Sequence, residues 1–101
     1  MSEPVFDELI HAPHRLRICA MLAAVDSAEF SVIRDTLGIA DSVLSKHVKA
    51  LQTAGYVTVT KTSGQAHRRT WLALSPEGRR ALAGHLAELR RISDLAQTGR
   101  H

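Results

Sequence analysis

The residues best placed to do chemistry lie at positions 40–55, ADSVLSKHVKALQTAG, of a chain of 101 residues. Leu44, Val48 and Leu51 recur at i, i+4 and i+7, so a helix through this stretch turns them to one side. Ser42, Ser45, Lys46 and Lys49 then fall on the other side, and the only acid is Asp41 at the start. A short basic face rich in hydroxyls suits phosphate oxygens and base edges in a groove. Taken alone, it equally describes a solvated surface helix. A second basic spot lies at residues 63–69, where Gln65, His67, Arg68 and Arg69 occur without an acid. Strand alternation is expected to point Arg68 outward and to turn Arg69 toward the domain.

Other chemistries find little to work with. Asp35 and Asp41 suit helix starts, and no second carboxylate is spaced to form an acid–base pair. There is no nucleophile–base pair and no glycine loop that would cradle a phosphate, so an enzyme is not expected. Six histidines and Cys19 invite a metal reading, but the spacing is poor. His11 and His14 straddle Pro13, and His47 has no neighbouring ligand. On the C-terminal helix, His85 could be brought near His11 or His14 by a two-fold partner. No metal and no cofactor are expected, and Cys19 reads as a small buried hydrophobe.

The elements that must position the basic face follow from pattern and punctuation. Residues 5–11 form a helical turn or two ending before Pro13, which opens a helix over 13–25. A very short strand is expected at 29–31. Ser31 then caps a helix over 32–37, ended by Gly38. After Gly55 the period drops to two. Residues 56–62 and 69–74 read as strands of a hairpin with its tip at 63–68. Ser75 and Pro76 start the last helix, whose stripe Leu82, Leu86, Leu89, Ile92 and Leu95 outlasts what a small core can cover. That stripe, with Phe6, Leu9 and Ile10 of the N-terminal arm, is the expected homodimerisation surface.

Composition agrees with this plan. Hydrophobic residues make up 45% of the chain and aromatics 4%, so one small aliphatic core is expected. The net charge is +3, and residues 31–80 hold eight Lys and Arg against three Asp and Glu. The basic excess therefore sits in the middle of the chain. A single cysteine rules out an intrachain disulfide. No apolar run is long enough to span a membrane and the N-terminus lacks a signal pattern, so a cytoplasmic protein is expected.

The order helix, helix, helix, hairpin, helix resembles the winged-helix domain of bacterial MarR-type transcription regulators. Residues 44–57, LSKHVKALQTAGYV, look like that family's recognition helix running into the first wing strand. Residues 68–79, RRTWLALSPEGR, look like the returning strand and the T-x-x-G-R start of the next helix, with Ser75, Gly78 and Arg79 in those places. The chain looks most like the compact regulators close to MarR and ArsR proteins. One departure is Ala40, where the family often carries a Ser or Thr cap; Asp41 or Ser42 would cap instead.

The resemblance implies a mainly α fold with a small β-hairpin, a winged helix-turn-helix spanning 13–74. An N-terminal arm at 1–12 and a dimerisation helix at 75–98 would complete one domain. Ser42, Val43, Ser45, Lys46 and Lys49 would enter the major groove of double-stranded DNA. Arg34 would hold a phosphate, and Gln65, His67, Arg68 and Arg69 would lie along the minor groove. A homodimer would read an inverted repeat and act on transcription, more often as a repressor. A small-molecule effector stays open. The competing reading is a winged helix used as a protein-interaction module, which would need no basic face.

Overall fold

The computed structural model describes residues 2–64 and 68–98. Five helices and three strands follow in the order α1 (Glu8–His11), α2 (Pro13–Ala23), β1 (Ala28–Glu29), α3 (Phe30–Leu37), α4 (Asp41–Thr53), β2 (Val57–Ser63), β3 (Arg68–Leu74) and α5 (Pro76–Thr98). The winged helix-turn-helix expected from the pattern is present, with small corrections at its joints. Helix α2 stops at Ala23 rather than residue 25. Glu29, not Ser31, occupies the cap position of α3, and its side chain makes no capping hydrogen bond. The short strand lies one or two residues earlier than expected, at Ala28–Glu29. It pairs with β3 through Ala28↔Leu72 and Glu29↔Trp71, so the hairpin becomes a three-stranded antiparallel sheet of order β1-β3-β2. Among the described residues no helix is long and apolar enough to cross a membrane.

The core is aliphatic. Ile18 and Leu22 of α2, Ile33 of α3, Leu44 and Leu51 of α4, and Leu72 of β3 are almost wholly buried together. Helix α4 ends on Gly55 with φ 83°, a left-handed conformation that side chains resist. The Tyr56 N–H then reaches back to the Leu51 carbonyl at 2.9 Å, closing the helix end. From there the chain enters β2, so the end of α4 fixes where the wing begins. Ser75 holds the far end of the wing to the same place. Its N–H donates to the Tyr56 carbonyl at 2.9 Å and its hydroxyl donates to the Gly55 carbonyl at 2.6 Å. The same hydroxyl accepts the Gly78 N–H at 2.9 Å and caps α5.

Candidate nucleic-acid interface

Helix α4 sets the geometry. Leu44, Val48 and Leu51 are buried, and Ser42, Val43, Ser45, Lys46 and Lys49 are all exposed on the other side. The helix begins differently from expectation. Neither Asp41 nor Ser42 caps it: Ala40 holds the extended cap position (φ −73°, ψ 154°) with no side-chain bond, and Asp41 is the first helical residue. An anion in the first turn is favourable against the helix dipole, which compensates in part for the missing cap.

Asp41 also engages Arg34. The Arg34 Nη1 donates to Asp41 Oδ1 at 2.9 Å, and its Nε donates to Asp35 Oδ1 at 2.8 Å. These hydrogen bonds, to Asp35 first and Asp41 second, push the Arg34 pKa further up. Arg34, expected at a phosphate, ties α3 to the first turn of α4 through these bonds and so positions the basic helix.

The wing register corrects a second expectation. Arg68 lies opposite Ser63 and Arg69 opposite Thr62. Alternation along β3 puts Arg68 and Thr70 on the face of buried Leu72 and Leu74, and Arg69 on the opposite face with Trp71. The two arginines therefore exchange the faces expected of them, and both are exposed. Gln65 and His67 lie outside the described residues.

Between α4 and the wing runs an open groove of ≈ 680 Å³. Asp41, Ser45, Lys49 and Gln52 line one wall, Val59, Lys61 and Thr70 the other. Lys61, paired with Thr70, adds to the groove a cation that is absent from the expected site. The alternation Val57, Val59, Lys61 carried the signal, since it places all three on one face.

The histidines have other duties. His47, on α4, faces α2: its Nδ1 accepts from the Arg15 guanidinium at 3.2 Å, and its ring lies 5.5 Å from that of His14. Burial first, then the Arg15 charge, lower its pKa. His85 meets His11 within one chain, with His11 Nδ1 and His85 Nε2 3.1 Å apart, so no two-fold partner is needed to join them. Among the described residues no group of three or more His, Cys, Asp or Glu could hold a metal ion. Cys19 is fully buried, as expected, and burial is the main cause that pushes its thiol up to about 11.

The expected dimer residues divide in three. Ile10 and Leu82 are buried in the core of their own chain, and so are corrected out of the candidate surface. Leu9, Leu86 and Leu89 are half-buried. Phe6 (42%), Ile92 (44%) and Leu95 (56%) remain exposed. Helix α5 carries the last two past the core, which gives the molecule its extents of 63 × 26 × 21 Å.

Residues 14–93 match the family described as the winged helix DNA-binding domain. The chain belongs to this family. A winged-helix chain of this size has relatives in other organisms. An uncharacterised protein of Methanocaldococcus jannaschii is 27% identical over 79 residues, which cover 78% of this chain and 86% of that one. A transcriptional regulator homologue from Pyrococcus horikoshii superposes with a TM-score of 0.82 at 25% identity, over 87% of each chain. The PcaV transcriptional regulator of Streptomyces coelicolor, solved with its natural ligand, shares the fold at a TM-score of 0.74 and 19% identity, over 95% of this chain and 67% of that one. The MarR-like resemblance read from residues 44–57 and 68–79 thus holds at the level of the whole fold. Family and fold place this chain among winged-helix DNA-binding domains.

Proposed function

We propose that the chain is a homodimeric, sequence-specific regulator that represses transcription in the cytoplasm by occupying promoter DNA. One observation carries the reading. The basic face of α4 and the basic face of the wing flank a single open groove, with Lys49 on one wall and Lys61 on the other. In this reading α4 enters the major groove with Ser42, Val43, Ser45 and Lys46, and the wing follows the adjacent minor groove with Arg68, Arg69, Gln65 and His67. The DNA strand between those two grooves then runs through the cleft, where Lys49 and Lys61 neutralise its phosphates. Serines offer hydrogen bonds to many base edges, so part of the specificity would come from DNA shape.

A two-fold dimer through Phe6, Leu9, Leu86, Leu89, Ile92 and Leu95 would set the recognition helices one turn apart, roughly 34–36 Å, on an inverted repeat. A small-molecule effector would act by changing that spacing. The test is binding of the purified protein to fragments of its own upstream region across a salt series, beside a Lys46→Ala/Arg68→Ala double variant. The expected result is one preferred fragment, affinity that falls steeply with salt, and loss of the shift in a double variant that stays folded. No preference over random DNA, with the double variant behaving as wild type, would instead favour a protein-interaction module.

A further inference from the structure

One polar network lies away from the proposed DNA face and takes no part in it. Asp7 is its hub. Its Oδ1 accepts the Ile10 N–H at 3.0 Å and caps α1, and its Oδ2 accepts the Tyr56 hydroxyl at 2.6 Å. The backbone N–H of Asp7 donates to His85 Nδ1 at 3.0 Å, and His85 Nε2 lies 3.1 Å from His11 Nδ1. The Phe6 ring packs on both imidazoles, at 4.7 Å and 4.8 Å between centroids. Beside it the Val5 N–H donates to the Gly84 carbonyl at 3.0 Å. A Cβ at Gly84 would stand 3.2 Å from the Glu3 carbonyl oxygen, so the arm lies close against α5 where residue 84 has no side chain.

The proton inventory of this network is fixed. A backbone N–H can only donate, so His85 Nδ1 must be the lone-pair nitrogen. Its single proton therefore sits on Nε2 and donates to His11 Nδ1. A second proton on His85 must go to Nδ1, where it faces the Asp7 N–H and replaces an acceptor by a donor. A proton added to His11 goes to Nδ1, which is already accepting. Wherever the extra proton lands, at least one bond is lost. His85 is fully buried, so it cannot turn to water while the arm is in place.

We propose that Asp7, His11, Tyr56 and His85 form a proton-sensitive clasp, which fastens the N-terminal arm to α5 and to the turn after α4 and releases it on acidification. The groups that face His85 are Asp7 from the arm and His11 from α1; Asp7 is coupled in turn to Cys19 of α2 and to Tyr56. Burial first, then the neighbouring His11, lower the His85 pKa from its ordinary 6.5, against the opposing pull of Asp7. The released arm leaves His85 at its ordinary value, so the released form takes up the proton first. Docking is intact well above 6.5 and weakens as pH falls below it, by up to about tenfold per pH unit. Phe6 rides on this arm, so release would also withdraw it from the proposed dimer surface; the clasp itself rests on neither the dimer nor the DNA reading.

Amide hydrogen exchange at Asp7 and Val5, corrected for intrinsic rates, tests the clasp. From about pH 7.5 to about pH 5.5 protection should fall in the wild type, by at most about tenfold. His85→Asn keeps an acceptor oxygen near the Nδ1 position and does not titrate, so its protection should not change over that range. Equal protection of the wild-type amides at both pH values, or a fall of the same size in His85→Asn, would overturn the proposal. An NMR titration of the wild-type imidazoles is independent of any variant: His85 should titrate below 6.5, and a midpoint at or above that value would also overturn it.

Discussion

A methyl group at position 78 would sit 2.2 Å from the Tyr56 carbonyl oxygen and 2.9 Å from Leu74 Cδ1. The Tyr56 carbonyl cannot retreat easily, because it accepts the Ser75 N–H. Gly78→Ala should cost on the order of 3 kcal/mol through overpacking against backbone. The check is a lower denaturation midpoint with an unchanged slope. Position 19 makes the opposite kind of demand. With its thiol buried and pushed up to about 11, Cys19 should resist a thiol reagent at neutral pH and react at once in denaturant. Measurable labelling of the native protein at a rate above that of its unfolding would show the thiol to be open. The S-x-x-G-R pattern was legible as a helix start, but its reasons were not. Gly78 answers to Tyr56, and Arg79 donates to the Ala23 and Val25 carbonyls at 3.0 Å each, closing the end of α2. Those partners lie 54 and 56 positions away, beyond the reach of any local pattern.

At the scale of elements, the helices with a clear apolar stripe were legible to within a residue or two, because the period of 3.6 is written into the chain. Strand β1 was harder. Two residues carry no periodicity, and Ala28–Glu29 is a strand only because β3 offers Leu72 and Trp71 as partners. The faces of Arg68 and Arg69 were misread for a related reason. Leu72 and Leu74 fix the parity of β3, and counting back from them puts Arg68, not Arg69, on the inner side. The same counting along β2 brings Lys61 to the groove. Lys61→Ala should therefore weaken binding to all DNA sequences alike and lower the slope of log affinity against log salt by about 1. Binding isotherms on specific and random duplexes at several salt concentrations would show this. A loss confined to one sequence, or a slope unchanged from wild type, would take Lys61 off the phosphates.

For the whole molecule, the question is what covers the far half of α5. A helix of 23 residues is about 35 Å long, and the core of this chain shields only its first turns. Ile92 and Leu95 stand out at 44% and 56% exposure. If the proposed dimer forms through this face, Ile92→Asp/Leu95→Asp should give a folded monomer, seen as a halved mass in sedimentation with unchanged far-UV circular dichroism. Leu82→Asp should unfold the protein, since Leu82 is buried in its own core. A dimeric double variant would place the contact elsewhere, and a monomeric wild type would remove the proposed dimer.

The stop of α4, the return of the wing and the start of α5 all close on Gly55, Tyr56 and Ser75. A joint with that many ties has no spare degree of freedom. In the proposed dimer, α5 and the recognition helix would turn as one rigid lever about the two-fold axis. Such a frame reads distance as strictly as it reads bases. One base pair added at the centre of the operator would rotate a half-site by about 35° and shift it by about 3.4 Å. With α4, the wing and α5 tied into one body in each protomer, the protein would lose one of its two half-sites to a change that alters none of the bases it touches.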